Sequence, residues 1–129
     1  MKNKYIKYTF AIFFFLFFKH AIAEDNFTFE SNIIEYKENN NLIISKGNVK
    51  IKSSDQIDIF ADESRYYKLE NKLFLNGNVK VIDNNRNIII QSNQIEYEKN
   101  KDLIHSNDFT KISINGDYII DTQNLKYFR

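Results

Sequence analysis

Any catalysis in this chain would have to come from carboxylates, because the usual nucleophiles and metal ligands are nearly missing. There is no cysteine, and of two histidines only His105 lies beyond the amino-terminal apolar segment. A tetrahedral zinc site needs several His or Cys ligands, so a lone His105 reads as an ordinary strand residue. No phosphate loop, nucleophile elbow or His-dependent triad is present. Glu35, Asp58, Glu63, Glu96 and Glu98 could in principle supply the acid and base of a glycosidase-like pair. They mostly occupy the polar phase of alternating stretches, which assigns them to a solvated face. The expectation is a protein that is not an enzyme and uses no cofactor or metal.

The aromatic residues are more regular. Tyr36, Tyr66, Tyr97 and Tyr127 recur at spacings of 30, 31 and 30 residues and should stack as a column on one face. Their repetition favours rings wedged into a recurring corner with the hydroxyl at the rim, and a surface that touches sugar or lipid is the alternative.

The elements that must position these side chains are repeats of about thirty residues. Each tyrosine closes a copy of one motif: Ser31-Asn32-Ile33-Ile34-Glu35-Tyr36, Ala61-Asp62-Glu63-Ser64-Arg65-Tyr66, Ser92-Asn93-Gln94-Ile95-Glu96-Tyr97 and Thr122-Gln123-Asn124-Leu125-Lys126-Tyr127. The tetrapeptide Gly47-Asn48-Val49-Lys50 returns as Gly77-Asn78-Val79-Lys80 and, degenerately, as Asn107-Asp108-Phe109-Thr110. Apolar alternation then leads into the next tyrosine motif. Period-two patterning in β-branched and aromatic residues predicts strands throughout, joined by polar turns in which Asn and Asp replace glycine. Seven or eight antiparallel strands are expected.

Along Ile57, Ile59 and Ala61 the inward phase is odd, yet Ser64 and Tyr66 continue it on even numbers, and the same slip recurs in the later units. A one-residue slip turns a strand inside out unless a bulge absorbs it. We therefore expect a corner in register with the repeat, with Gly47 and Gly77 serving the bend. Stacked corners imply an all-β, antiparallel jelly roll with an open slot; a sandwich with a filled core is the alternative. The inward aliphatic ladder, and hence the candidate lining of the slot, is Ile34, Val49, Ile51, Ile57, Ile59, Leu75, Val79, Val81, Ile88, Ile90, Ile95, Ile112, Ile114 and Ile120.

The first residues differ from the rest. Lys2, Lys4 and Lys7 precede an apolar run from Tyr8 to Phe18, and Ala21-Ile22-Ala23 stands before Glu24. This is the order of a secretory signal peptide. A membrane anchor is the alternative, although as a helix the run reaches only about half of a hydrocarbon core of about 30 Å. The expected division is a signal peptide over 1–23, cleaved after Ala23, and an exported domain over 24–129. Cleavage removes four lysines and no acid, so the formal charge falls from +1 to about −3. A mildly acidic chain without a basic cluster argues against nucleic acid as a partner.

The small-Asp/Asn-x-x-x-Tyr motif, the Gly-Asn-Val-Lys-Ile element and the apolar alternation resemble the OstA-like (LptA-like) domain family of lipopolysaccharide transport. That domain occurs in LptA, LptC and the N-terminal region of LptD. The resemblance is clearest from Asn32 to Val81 and reaches Tyr127. It implies a periplasmic jelly roll, open along one edge, whose apolar groove shields the acyl chains of lipid A on the way to the outer membrane. It also implies partners: lipopolysaccharide, and other OstA-like domains joined by edge-strand pairing, including head-to-tail copies of this chain. The third unit departs from the family pattern in lacking its glycine. Two alternatives stand beside this reading: an exported structural or adhesive β-repeat with a closed core, and the amino-terminal piece of an LptD-like translocon.

Overall fold

The computed structural model describes residues 27–129; the expected signal peptide, with its cleavage after Ala23, lies outside the described residues. The alternating stretches form strands. Four are long: β3 (Leu42–Ser53), β4 (Ile57–Tyr67), β5 (Lys72–Asp83) and β6 (Ile88–Glu98). The others are short and come in successive pairs: β1 (Phe27–Glu30) and β2 (Ile33–Lys37), β7 (Leu103–Ser106) and β8 (Thr110–Ile114), β9 (Tyr118–Thr122) and β10 (Leu125–Phe128). Among the described residues there are ten strands rather than seven or eight, because the first, sixth and last runs break where they bend.

All ten strands belong to one antiparallel sheet folded along its middle. One arm carries β2, the first half of β3, the second half of β4, the first half of β5, the second half of β6, then β7 and β10. The second arm carries β1, the complementary halves of β3 to β6, then β8 and β9. The arms face each other: Phe27 of the second arm packs edge-to-face on Tyr66 and Tyr97 of the first, with ring centroids 5.0 and 5.8 Å apart. The result is a jelly-roll-like open sheet, not a closed barrel.

The fold line coincides with the expected corner. Pairing registers shift between Lys46 and Val49, between Phe60 and Glu63, and between Asn76 and Val79. Gly47 and Asn48 both have positive φ (73° and 50°), as do Gly77 and Asn78 (77° and 47°). Asn tolerates that region, and Gly enters it without strain, which explains the repeated Gly-Asn pair. The motif opposite supplies the rest. A Cβ on Gly77 would stand 2.4 Å from Asp62 Oδ2, and one on Gly47 would stand 2.8 Å from Asn32 Nδ2. Asn78 Nδ2 donates to Asp62 Oδ2 at 2.8 Å, and the Asn32 amide donates to the Gly47 carbonyl at 2.9 Å. The third corner lacks the glycine and solves the bend with hydroxyls. Ser92 Oγ lies 2.9 Å from Ser106 Oγ and 3.2 Å from Thr110 Oγ1, while the chain leaves strand geometry between β7 and β8.

The turns stack as the repeat predicts. The Lys68 amide donates to Asn41, Lys99 to Asn71 and Arg129 to Asp102 on one arm; Asn84 donates to Gln56 and Asn115 to Asn87 on the other.

Replacing Gly77 by Ala adds a side chain at positive φ and drives it into Asp62. The cost should be about 2–3 kcal/mol in urea unfolding, whereas Gly116→Ala, at φ 76° in open space, should cost about 1 kcal/mol. Equal losses at the two positions would show that the Asp62 contact contributes nothing.

Candidate functional site

Two cross-strand rows dominate the space between the arms. On the second arm the register aligns Phe29, Ile51, Ile59, Val81, Ile90, Ile112 and Ile120. On the first arm it aligns Tyr36, Ile43, Tyr66, Leu73, Tyr97, Ile104 and Tyr127, so the repeat tyrosines alternate with aliphatic residues. β-Branched and aromatic neighbours of this kind stabilise a sheet pair by pair.

The candidate ladder is not uniformly open. Val49, Ile51, Ile57, Ile59, Leu75, Val79, Val81, Ile90 and Ile95 are all buried, and Ile51, Ile57 and Ile59 have no exposed surface. Ile88, Ile112 and Ile114 are half-buried. Ile34 is 36 % exposed and Ile120 46 %. The inner face is thus packed shut across the central strands and emerges into solvent at its ends, most of all around β8 and β9. Tyr118 extends that mouth; it pairs with Ile114 on the same face and is 68 % exposed. Its place in the alternation ending at Thr122 was the available signal. Phe27 and Phe29 also join the inner face, and the alternation Phe27-Thr28-Phe29 was the available signal.

The tyrosines are not at the corners. They sit at the opposite, turn end of the first arm. Tyr66 and Tyr97 are buried, Tyr127 is half-buried and Tyr36 is exposed. Their hydroxyls do reach the rim: Tyr66 donates to Asn71 Oδ1 at 2.7 Å and Tyr127 to Asp83 Oδ2 at 3.0 Å.

At this end the arms are joined by a seam of charge. Arg129 Nε donates to the buried Asp83 Oδ2 at 2.9 Å, and Arg129 Nη1 donates to the Tyr97 hydroxyl at 3.4 Å. Lys99 binds the Asp55 carboxylate and donates to Ser53 Oγ at 3.1 Å. Burial alone pushes the Asp83 carboxyl up, but bonds from Arg129, the Arg86 amide and Tyr127 outweigh it and hold the group below its ordinary value. Burial raises the Tyr97 hydroxyl and lowers the Lys99 ammonium.

The carboxylates first weighed for chemistry lie elsewhere. Glu35 pairs with Lys37, Glu63 with Arg65, Glu98 with Lys101, and Asp58 accepts from Asn84. His105 is less isolated than its sequence suggests: cross-strand pairing sets it 3.3 Å from Glu96. Among the described residues, Glu96, Glu98 and His105 form a group whose donor atoms lie within 4.8 Å of one another. Lys72 and Lys101 already neutralise both carboxylates, so the group is an ion-paired patch of the outer face. Beside it a depression of about 530 Å³ is lined by Arg65, Tyr67, Phe74 and His105, among others, on the side of the sheet away from the apolar rows. Among the described residues no helix is long and apolar enough to cross a membrane.

Among known families, the model described as LptC, lipopolysaccharide-assembly, LptC-related, matches residues 25–119. No curated protein matches the chain.

Because its folded value is depressed, Asp83 adds stability above the unfolded carboxylate pKa of about 4, and that stability is lost as pH falls through the folded value. Asp83→Asn removes the nearest carboxylate from the buried Arg129, which keeps Asp102 at 3.5 Å and Asp55 at 3.7 Å, and should cost about 1.5–3 kcal/mol at pH 7. In paired urea titrations the gap between parent and variant should narrow below about pH 4. A gap that stays constant into acid would contradict the assignment.

Proposed function

The chain belongs to the LptC-related family of lipopolysaccharide-assembly proteins, and from that membership we propose that it is a periplasmic carrier in lipopolysaccharide transport. In this reading residues 24–129 form the exported domain, released from or held by the amino-terminal segment, and the apolar inner face shields lipid A acyl chains. The observation that carries it is the inner apolar row running without a break through seven strands and surfacing at the β8–β9 mouth. Ile112, Ile114, Tyr118 and Ile120 would meet the cargo first there, with Ile34 and Tyr36 at the other end. Burying acyl chains needs no chemistry: about 0.8 kcal/mol accrues per methylene, so a dozen methylenes approach about 10 kcal/mol.

The edges suit the proposed partners. Among the described residues, β1 and β2 at one end and β9 and β10 at the other pair on one side only. Unpaired strands are templates for β-augmentation, so further OstA-like domains, or copies of this chain, would join there and continue the apolar row.

A second reading draws on the packed middle of the molecule. With Ile51, Ile57 and Ile59 wholly buried, a structural β-repeat with a closed core would look the same away from the mouth.

Neighbouring residues of β9 separate the two. Ile120 faces inward and Ile119, 66 % exposed, faces outward. A photo-crosslinking amino acid at position 120 should capture lipopolysaccharide in cells at least five-fold better than one at position 119. Equal capture at the two positions would favour the closed structural repeat.

A further inference from the structure

We propose that the turn end of the folded sheet is a lateral gate to the apolar interior, latched by Arg129 on Asp83 and by Lys99 on Asp55. The proposal rests on the carrier reading and adds where an acyl chain enters the packed middle and what bars it.

The interior is bounded differently on each side. At the corner every long strand passes from one arm to the other, so the arms are joined there by backbone. At the turn end no strand crosses. The arms meet through side chains, and at the rim these bonds are polar. Arg129, 7 % exposed, reaches from β10 across to Asp83, 1 % exposed, at the end of β5. Arg129 Nη2 also donates to the Asp55 carbonyl at 3.3 Å, and Lys99 ties the other arm's turn to Ser53 and Asp55. Directly behind this rim lie the Phe27 ring, 5.9 Å from Lys99 Nζ, and the Tyr97 ring.

Such a rim suits a gate better than an aliphatic seam would. A buried ion pair gains little net stability over apolar packing, because desolvation offsets most of the attraction. When the arms part, the charges regain water, and nothing polar is stranded. An aliphatic rim would instead expose apolar surface at each opening. The apolar area behind the rim is what an incoming acyl chain would cover. The Lys99–Asp55 and Arg129–Asp83 bonds span 44 and 46 residues of sequence, so they fix the arms relative to each other rather than stiffen a single hairpin.

The chain has no cysteine, so Asp55→Cys with Lys99→Cys can be bridged by a reducible bismaleimide without side reactions. With cis-parinaric acid as the probe, the bridged protein should take up the fatty acid at least ten-fold more slowly than the same protein after reduction. Equal rates would overturn the gate and leave the carrier reading intact. Uptake by neither form would sink the carrier reading and the gate with it. Single substitutions give an independent measure. Arg129→Gln should speed uptake several-fold, with the β-sheet circular dichroism unchanged. Arg86→Gln removes a bond to Asp83 made within one turn and should leave the rate as it was. Identical rates for these two variants would overturn the gate even if the bridged protein fails to fold.

Discussion

Where β3 to β6 cross the fold line, two residues of one strand stand opposite one of its neighbour, and this bulge both makes the bend and resets which residues of β4 and β6 face inward on its far side. The whole molecule depends on that reset. In β4 it occurs between Ala61 and Ser64, where inward positions pass from odd to even numbers and the register shifts. In β3 and β5 the Gly-Asn pair makes the bend with two successive residues at positive φ, and the inward positions stay odd on both sides: Ile43, Ser45, Val49 and Ile51 in β3, Leu73, Leu75, Val79 and Val81 in β5. Asn32 and Asp62 occupy the space a glycine Cβ would need, so the two repeated motifs are the two sides of one corner. Without the reset, one half of β4 and one half of β6 would turn their apolar residues to water.

Folding one sheet, rather than closing it, has consequences at both ends of the stack. Interior units are covered on each side by a neighbour, and their apolar residues reach the burial of a protein core. That is enough to hold a small chain together without disulfides, provided the sheet ladder is complete. The end units lack one neighbour. Their inner-face residues are chemically the same and exposed for that reason alone. Among the described residues, an end that is both apolar and unpaired would be a liability in an isolated domain, and in the proposed carrier it would be the joint to the next domain.

The sequence disclosed the repeat, the strands and the corner, because each is a local pattern: a motif, an alternation, a phase slip. It did not disclose which rungs are open. Ile59 and Ile120 share a row, and Tyr66 and Tyr36 share another, yet one of each pair is buried and the other exposed. The difference lies in position along the stack, not in residue type. The tyrosines stand away from the expected corner for a related reason. The motif contains both the phase slip and the ring, but the ring follows the slip by several residues and lands at the far end of the arm. The seam was invisible for a third reason. Asp55, Asp83, Lys99 and Arg129 read as turn and tail residues, and only the fold brings them together.

The polar residues of the interior follow one rule of size and one of partnership. Ser45 and Ser64 face each other across β3 and β4 beside the corner, fully buried, and neither hydroxyl has a protein partner. An unpaired buried hydroxyl costs about 1–3 kcal/mol, so the position selects a small side chain where the arms converge. Where the glycine is missing, at the third corner, the same small residues do find one another, as Ser92, Ser106 and Thr110. At the turn end the rule reverses: large side chains fill the gap, and Arg129 and Lys99 bond across the seam to Asp83, Ser53 and Asp55. The interior therefore narrows to a backbone hinge on one side and widens to a set of separable charges on the other. That asymmetry is what the proposed carrier would require of a folded sheet: a packed core beside a boundary that can part.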